Sequence, residues 1–417
     1  MTTKTRAAWI LSGVAAAGVL LAQVVGTTLP NTGKPALPPP FATPSSRNSP
    51  KVVAQPSGAE LHLPAGFKVS VWSEGYKKPR YMLLGNHGEV LLADSAEANL
   101  VAESTAGLKK TGGSVYVFPN ADPSKRKQII TGLDRPYGLA LWHEYLYVSQ
   151  PNQIDRYKYN PADFSVGPAE KVVTLDNMDK GGHWTRSLLF NKAGTKMYVG
   201  VGSASNVDAG EDPRRAAINV YNPDGTGHEF FATGTRNPTS LHWYPGTQTM
   251  WAAVQERDLL GDDLVPDYFT HVQAGAFYGW PYAYTGPNED PRRKGEHPEL
   301  VRKAIAGDYQ LGAHVAVLDF CFYTGKLFPA KYRNGAFLAF HGSWNRSKRV
   351  GQEVVFVPFQ NGKPAGPAEH FLTGWMLSPE QKEVWGRPVG VMQMADGSLL
   401  VSDDGANKIW HVTYAGQ

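Results

Sequence analysis

Short runs of apolar residues, separated by turns that contain Gly, Asp or Asn, recur along the chain from about residue 59 to residue 414. In each repeat a polar start, often with Arg or Pro, leads into an apolar run, and a second apolar run follows the turn. The clearest pairs are residues 81–84 with 89–94, 135–142 with 145–149, 186–190 with 196–201, 237–243 with 250–254, and 387–394 with 396–402. Apolar runs around such turns are typical of β-hairpins.

Further strand-like runs are placed where outer strands would be needed, at residues 115–118, 154–157, 354–357 and 409–412, and another covers 335–341. The units recur about every 50 residues, which is the period of propeller blades. Six units account for residues 59–417, and we therefore predict an all-β, six-bladed β-propeller. A β-sandwich would have fewer strands and no such period.

The N-terminus has the pattern of an export signal. Lys4 and Arg6 precede an uncharged run from Ala7 to Gly26. A basic start followed by such a run predicts either a cleaved signal peptide or a retained membrane anchor within residues 1–26, and both remain open. We expect a periplasmic or otherwise exported protein, with tethering to the inner membrane as the second alternative.

Residues 27–58 contain eight Pro among Ser and Thr. Pro-rich segments of this kind are typically extended linkers, and we expect this one to bury nothing.

Composition excludes several classes of protein. The net charge of +4 gives no argument for a nucleic-acid partner, which would require a concentrated basic face. Cys321 is the single cysteine, so no internal disulfide can form, and no Cys or His cluster has zinc spacing. Cys321 is expected to be a small buried hydrophobe.

The residues directly before the first strand of each repeat are the candidate functional residues. In a propeller these positions converge on one mouth of the central channel. Alignment of the repeats places five residues there: Arg135, His183, Arg236, Asn237 and Arg387. Converging cations repel one another unless an anion lies between them, which indicates a small polyanionic ligand, and the His could act as a general base. The alternative is that each Arg pairs with a carboxylate of a neighbouring blade.

Several segments together resemble the soluble dehydrogenases that use pyrroloquinoline quinone (PQQ) to oxidise glucose or sorbosone. The resemblance covers about residues 60–415. It depends on the order and spacing of Gly182-His183-Trp-Thr-Arg186, Gly202-Ser-Ala-Ser-Asn206, Gly234-Thr-Arg236-Asn237-Pro238, Gln255-Glu-Arg-Asp258, Gly261-Asp-Asp-Leu264, Tyr278-Gly-Trp-Pro281, His341-Gly-Ser-Trp-Asn-Arg346 and Trp385-Gly-Arg387.

The resemblance implies PQQ-dependent oxidation of a sugar-derived aldehyde or hemiacetal. It implies that His183 removes the hydroxyl proton and that Arg236 stabilises charge on the quinone oxygen. It also implies a Ca²⁺ ion at backbone carbonyls near Asp258 and Leu259. The expected cofactor-binding residues are Arg135, Arg186, Asn237, Arg346 and Arg387. The partners would be a small sugar or aldehyde and a periplasmic electron acceptor or membrane quinone.

The chain departs from the glucose dehydrogenases at two places. Where they carry a Lys, this chain has Trp344-Asn345-Arg346, a pattern that favours a sorbosone-like substrate. The carboxylate that positions their base is not evident in residues 202–206, so Asn206 or an unidentified residue would have to position His183.

Two other functions stay open. A propeller lactonase would hold Ca²⁺ through side chains, for which Glu256, Asn237 and Asp404 are candidates. A binding scaffold without catalysis is the second alternative, because a fold does not determine function.

Overall fold

The computed structural model describes residues 24–103, 107–178 and 181–416. The described chain is almost entirely β-structure, and six four-stranded antiparallel sheets form the blades of a propeller. The predicted fold is thus confirmed. Within the described ranges no helix is both long and apolar enough to cross a bilayer. The predicted signal peptide or anchor, residues 1–26, lies outside the described residues except for its last three.

The chain divides into two compact units. We call residues 73–257 and 268–308 the central unit. The terminal unit comprises the described residues up to Trp72 together with residues 258–267 and 309–416.

Three complete blades lie in the central unit, and in each the strands are neighbours in chain order. Blade 1 consists of Pro79–Leu84, Val90–Asp94, Gly113–Phe118 and Lys127–Leu133. Blade 2 consists of Leu139–Trp142, Tyr145–Gln150, Gln153–Asn160 and Ser165–Thr174. Blade 3 consists of Arg186–Phe190, Met197–Val201, Ala217–Tyr221 and Glu229–Thr233. The first strands of these blades contact one another, as the inner strands of a propeller do.

The other three sheets have the same antiparallel pattern. Blade 4 consists of Asn237–Trp243, Met250–Gln255, Pro266–His271 and Tyr309–Ala313. Blade 5 consists of Val317–Phe322, Ala336–Phe340, Glu353–Val357 and Glu369–Leu372. Blade 6 consists of Pro388–Gln393, Leu399–Asp403 and Lys408–Tyr414, and its fourth strand is Phe67–Glu74 from the opposite end of the chain.

The remaining elements are short and lie outside the four-stranded sheets. They are the hairpins Asn99–Glu103 with Gly107–Thr111, Ala283–Tyr284 with Asn288–Glu289, and Phe359–Gln360 with Lys363–Pro364, the α-helix Pro298–Lys303, and the 3₁₀ turns Pro119–Ala121, Pro123–Lys125 and Ala330–Tyr332.

Successive side chains of a strand point to opposite faces of the blade, and apolar side chains are buried on both faces. In the second strand of blade 3, Met197, Val199 and Val201 are fully buried in one cluster, while Tyr198 packs against a different cluster. Each fully buried apolar side chain of this size stabilises the fold by about 1.5–3 kcal/mol. This two-sided burial explains why the apolar runs are nearly continuous in sequence.

The Pro-rich segment is not a detached linker. Although none of its residues is fully buried, its backbone hydrogen-bonds along the terminal unit: Gly33 pairs with Gln310, and Lys51–Val52 forms a parallel two-stranded sheet with Glu383–Val384. The segment predicted as an extended linker, residues 27–58, thus pairs with the terminal unit through its backbone. Backbone groups of an extended Pro-rich chain can still be satisfied by loops of a neighbouring sheet, and the sequence does not reveal those loops.

Candidate active site

His183 lies in the central unit, just before the first strand of blade 3. Its Nδ1 is 2.8 Å from the carbonyl oxygen of Ser203 and 3.0 Å from the Ser203 hydroxyl. A carbonyl oxygen can only accept, and the hydroxyl already donates to the Ser205 carbonyl at 2.6 Å. Nδ1 must therefore carry the proton, which makes Nε2 the basic nitrogen.

The neighbouring cation is Arg236, which is 4% exposed. Its guanidinium donates to the Glu256 carbonyl at 2.6 Å and to the backbone and side-chain oxygens of Asn206 at 3.2 and 3.0 Å. The Asn206 carbonyl also accepts from the indole N–H of Trp280 at 2.8 Å. Asn206, which the sequence offered as a partner for His183, thus orients Arg236.

Asn237 and His183 meet at Gly202. A Cβ atom on Gly202 would lie 2.3 Å from Asn237 Oδ1 and 2.6 Å from His183 Cβ, so only Gly permits this approach. Asn237 Nδ2 donates to Gln255 at 3.0 Å, whereas its buried Oδ1 has no hydrogen-bond partner among the described residues. An unsatisfied buried acceptor is costly and is a feature of ligand sites.

Arg135 lies before blade 2 and forms a bidentate pair with the adjacent Asp134 at 3.1 and 3.0 Å. Its guanidinium lies 5.8 Å from the ring centroid of Trp184, and that of Arg80 lies 4.7 Å from the same ring. Trp184 therefore receives two cation–π contacts beside the predicted base. Sequence reasoning missed Arg80, although Arg80 also stands at the start of a first strand.

Arg186 is fully buried, and its side chain hydrogen-bonds to backbone carbonyl groups. Its guanidinium donates to the carbonyls of Met178, Thr185, His183 and Pro151 at 2.6, 2.8, 3.0 and 3.2 Å. This arrangement fixes the segment that carries His183. That Arg186 contacts a cofactor stays a prediction. In the structure, the Arg186 side chain binds backbone carbonyl groups of its own unit.

In the terminal unit, Asp258 and Leu259 lie in a braced turn. Leu259 has φ of +70°, and its N–H donates to Asn345 Oδ1 at 2.7 Å. The Asp258 carboxylate is 3.3 Å from Nδ1 of the buried His314, whose Nε2 lies 2.9 Å from the Gly261 carbonyl. Burial lowers the pKa of His314, but the hydrogen bond and charge of Asp258 outweigh it, and the pKa is raised.

Arg346 binds the acidic pair that follows this turn. It donates to the Asp262 carbonyl at 2.6 Å and pairs with the Asp263 carboxylate at 2.7 Å. Its buried Nε has no hydrogen-bond partner among the described residues. The two acidic residues thus organise the loop that carries Arg346.

Arg387 lies at the start of blade 6 beside a buried carboxylate. Asp403 Oδ1 accepts the Arg387 N–H at 2.7 Å, and burial raises the pKa of Asp403. The Arg387 Nε donates to the His341 carbonyl at 3.2 Å. His341 Nε2 lies 2.8 Å from Asp404 Oδ1, a His–carboxylate pair that the sequence did not predict.

Comparison with known proteins places this chain. The family described as TrAA12-like matches residues 61–265 and 299–415, which is most of the chain. The chain belongs to the TrAA12-like family. The resemblance to soluble PQQ-dependent sugar dehydrogenases is thereby confirmed at the level of the family.

Three relatives of this TrAA12-like protein are informative. A pyrroloquinoline quinone-dependent pyranose dehydrogenase of Coprinopsis cinerea is 24% identical over 84% of this chain, which spans only 54% of that longer enzyme. The holo form of a pyranose dehydrogenase PQQ domain from Coprinopsis cinerea superposes with a TM-score of 0.70 at 19% identity, covering 86% of this chain and 98% of that one. A calcium structure of a Trichoderma reesei family AA12 enzyme gives a TM-score of 0.68 at 22% identity, covering 88% and 99%. At these identities the structural likeness supports the fold.

Proposed function

We propose that the protein is a PQQ-dependent oxidoreductase that oxidises a sugar or a sugar-derived aldehyde or hemiacetal, with His183 as the general base. Family membership and the PQQ-dependent relative from Coprinopsis cinerea support the reaction class. The observation that carries the assignment of the base is the contact of His183 Nδ1 with the Ser203 carbonyl, which makes Nε2 basic.

The central unit fits the chemistry of PQQ. The cofactor presents carboxylate and quinone oxygens, which accept hydrogen bonds, and a pyrrole N–H, which donates one. Arg236 is a buried cationic donor, and Asn237 Oδ1 is a buried acceptor without a partner among the described residues. The residues present therefore match both kinds of polar group.

When bound, PQQ supplies the two-electron acceptor for the hydride that leaves the substrate carbon. His183 takes the hydroxyl proton at Nε2, while its Nδ1–H stays on the Ser203 carbonyl and keeps the ring oriented. Arg236, held by Asn206 and Glu256, places fixed positive charge where negative charge develops on oxygen.

The remaining residues of the site stay proposals. Arg135, Arg346 and Arg387 would bind cofactor carboxylates, since a forked guanidinium matches them better than an ammonium group does. Ca²⁺ would be bound by backbone carbonyls of Asp258 and Leu259, because the Asp258 carboxylate is already engaged by His314. The calcium structure of the Trichoderma reesei relative supports the choice of metal.

Substrate branch, location and electron acceptor are further parts of the proposal. The segment Trp344-Asn345-Arg346 supports a sorbosone-like over a glucose-like substrate. The basic and apolar start of residues 1–26 supports export to the periplasm, with or without a membrane tether, and an acceptor in that compartment. Cell fractionation with an antibody against the full chain would test the location.

The lactonase alternative stays open and is tested by the screen described below. Among the residues that the structure describes, no three His, Cys, Asp or Glu side chains cluster so as to hold a metal ion. Asp404, one of its candidate ligands, is engaged by His341. The binding-scaffold alternative is decided by the assay below.

The deciding experiment is reconstitution of the full chain with PQQ and Ca²⁺, followed by dye reduction with sorbosone, glucose and simple aldehydes. We expect PQQ-dependent turnover that His183→Ala lowers by about 10²–10⁴-fold. His87→Ala, at an exposed turn, is the matched control and should keep full activity. Absence of PQQ binding by absorbance, with a folded protein, would refute the proposal and direct the same sample to a lactonase screen.

A further inference from the structure

A carboxylate that the sequence did not single out holds the turn on which His183 rests. Oε2 of Glu211 accepts the backbone N–H of Ala204 at 2.6 Å. Oε1 of Glu211 accepts the backbone N–H of Ser205 at 2.8 Å and its hydroxyl at 2.7 Å. One charged side chain therefore satisfies three donors of two consecutive residues. Hydrogen bonds to a charged acceptor are about twice as strong as neutral ones, so this turn is firmly fixed.

The same turn presents both acceptors to His183. The Ser203 hydroxyl donates to the Ser205 carbonyl, which aims its lone pairs at the imidazole. Ser203 is fully buried, so water does not compete for these groups. On the other side of the turn, Arg215 donates to the Gly202 carbonyl at 3.1 Å.

The loop that carries His183 packs directly on this turn. Gly181 has φ of +92°, and a Cβ atom there would lie 2.2 Å from the Ala204 carbonyl oxygen. The loop that carries His183 thus contacts the turn through its backbone at Gly181 as well as through the hydrogen bonds of the His183 Nδ1. A shift of the turn would move the acceptors of the ring.

We propose that Glu211 is a positioning residue for His183. It acts through the Ser203–Ser205 turn to keep the proton on Nδ1 and the basic lone pair on Nε2. A carboxylate in direct contact with the imidazole would orient the ring by itself. Glu211 orients it indirectly, through the hydrogen bonds of the Ser203–Ser205 turn. The inference rests on the proposed function only for the consequence in catalysis, because the position of the ring proton is a property of the protein without cofactor.

The first test therefore needs no cofactor. ¹⁵N NMR of the full chain with labelled histidine reports which ring nitrogen of His183 carries the proton at a pH where the ring is neutral. We expect the Nδ1–H tautomer in the unmodified protein, and a mixture with the Nε2–H tautomer in Glu211→Ala. Glu211→Gln should give an intermediate mixture, because its amide retains one acceptor oxygen and turns N–H donors toward the backbone N–H groups.

Asp212→Asn is the matched control. It removes the same charge at the next residue, but the Asp212 carboxylate accepts from the backbone N–H and guanidinium of Arg214, at 2.9, 3.0 and 2.8 Å, and not from the N–H groups of Ala204 and Ser205. It should leave the tautomer unchanged. Circular dichroism would first show that both Glu211 variants are folded. If the tautomer is then unchanged in both, the proposal is overturned and Glu211 only stabilises the conformation of its loop.

The second test uses the reconstituted enzyme. Glu211→Gln should lower kcat roughly tenfold, since misplacement of a base is felt in the chemical step, with KM and the Kd for PQQ unchanged. Equal loss in Asp212→Asn, or a change confined to KM, would contradict the proposal. If the unmodified protein shows no PQQ-dependent turnover, the proposed function fails, and the tautomer measurement still decides the role of Glu211.

Discussion

Asn345 holds the backbone of Leu259 in place: its Oδ1 accepts the Leu259 N–H at 2.7 Å. The Nδ2 of the same fully buried side chain donates to the Ser46 carbonyl at 2.6 Å. One amide thus joins the Pro-rich segment to the turn proposed to bind Ca²⁺. Both halves of the amide are used, and no smaller side chain could satisfy both backbone groups.

Replacement of Asn345 by Ala should therefore cost about 2–4 kcal/mol of unfolding free energy, because it leaves two backbone groups unsatisfied. It should also weaken Ca²⁺ binding. Thermal unfolding with and without Ca²⁺ measures both effects. Asn361→Gly is the control, since Asn361 is exposed and its φ of +52° suits glycine. Equal Tm values for Asn345→Ala and the unmodified chain would contradict the assignment.

Gly202→Ala should displace His183 and Asn237 together, because the new Cβ would overlap both. We expect roughly a 10²-fold loss of kcat in the reconstituted enzyme, as for other small misplacements of reacting groups. Gly182→Ala provides a strict comparison: it is adjacent to His183, yet a Cβ there meets nothing within 4 Å. Similar activity of the two variants would show that the close approach at Gly202 is unimportant.

The ion pair of Arg257 and Asp290 is buried, with each residue about 1% exposed and Nε 3.0 Å from Oδ2. Arg257→Met would leave the Asp290 carboxylate buried without its cation, at a cost of about 3–5 kcal/mol. Burial already raises the pKa of Asp290, so the variant should regain stability as the pH falls and the carboxyl protonates.

Urea unfolding of Arg257→Met at several pH values measures this effect. The double variant with Asp290→Asn should recover much of the loss at neutral pH, since it removes the isolated charge. A single variant that is destabilised equally at acid and neutral pH would argue against an uncompensated carboxylate as the cause.

The pair of His370 and Glu353 should make the unfolding free energy depend on pH near and above neutrality. Burial lowers the pKa of His370, but the hydrogen bond and charge of Glu353 outweigh it and the pKa is raised. The stabilisation is therefore complete below the unfolded value of about 6.5 and is lost as pH rises through the higher folded pKa. The difference in unfolding free energy between the unmodified chain and His370→Gln should shrink as pH rises above about 6.5. A constant difference for His370→Gln across this pH range would refute the linkage.

Much of the blade architecture was readable from the sequence, because hairpins are local. The runs at 186–190 and 196–201 pair as predicted, with Arg186 opposite Val201, and the run at 354–357 is the third strand of blade 5. The fourth strand of blade 6, Phe67–Glu74, was missed, since its neighbour in the sheet, Lys408–Tyr414, is more than 300 residues away in sequence.

For the site, the sequence determined which residues stand before the first strands. His183, Arg236 and Arg387 precede first strands in the structure and Asn237 is the first residue of one, because the hairpin period alone places them there. Tertiary structure decided what each one contacts. The acceptors that fix the proton on His183, and the Glu211 carboxylate behind them, come from a turn after the second strand of the blade. Such hydrogen bonds depend on ångström-scale placement of loops, for which the pattern of apolar and polar residues carries no signal.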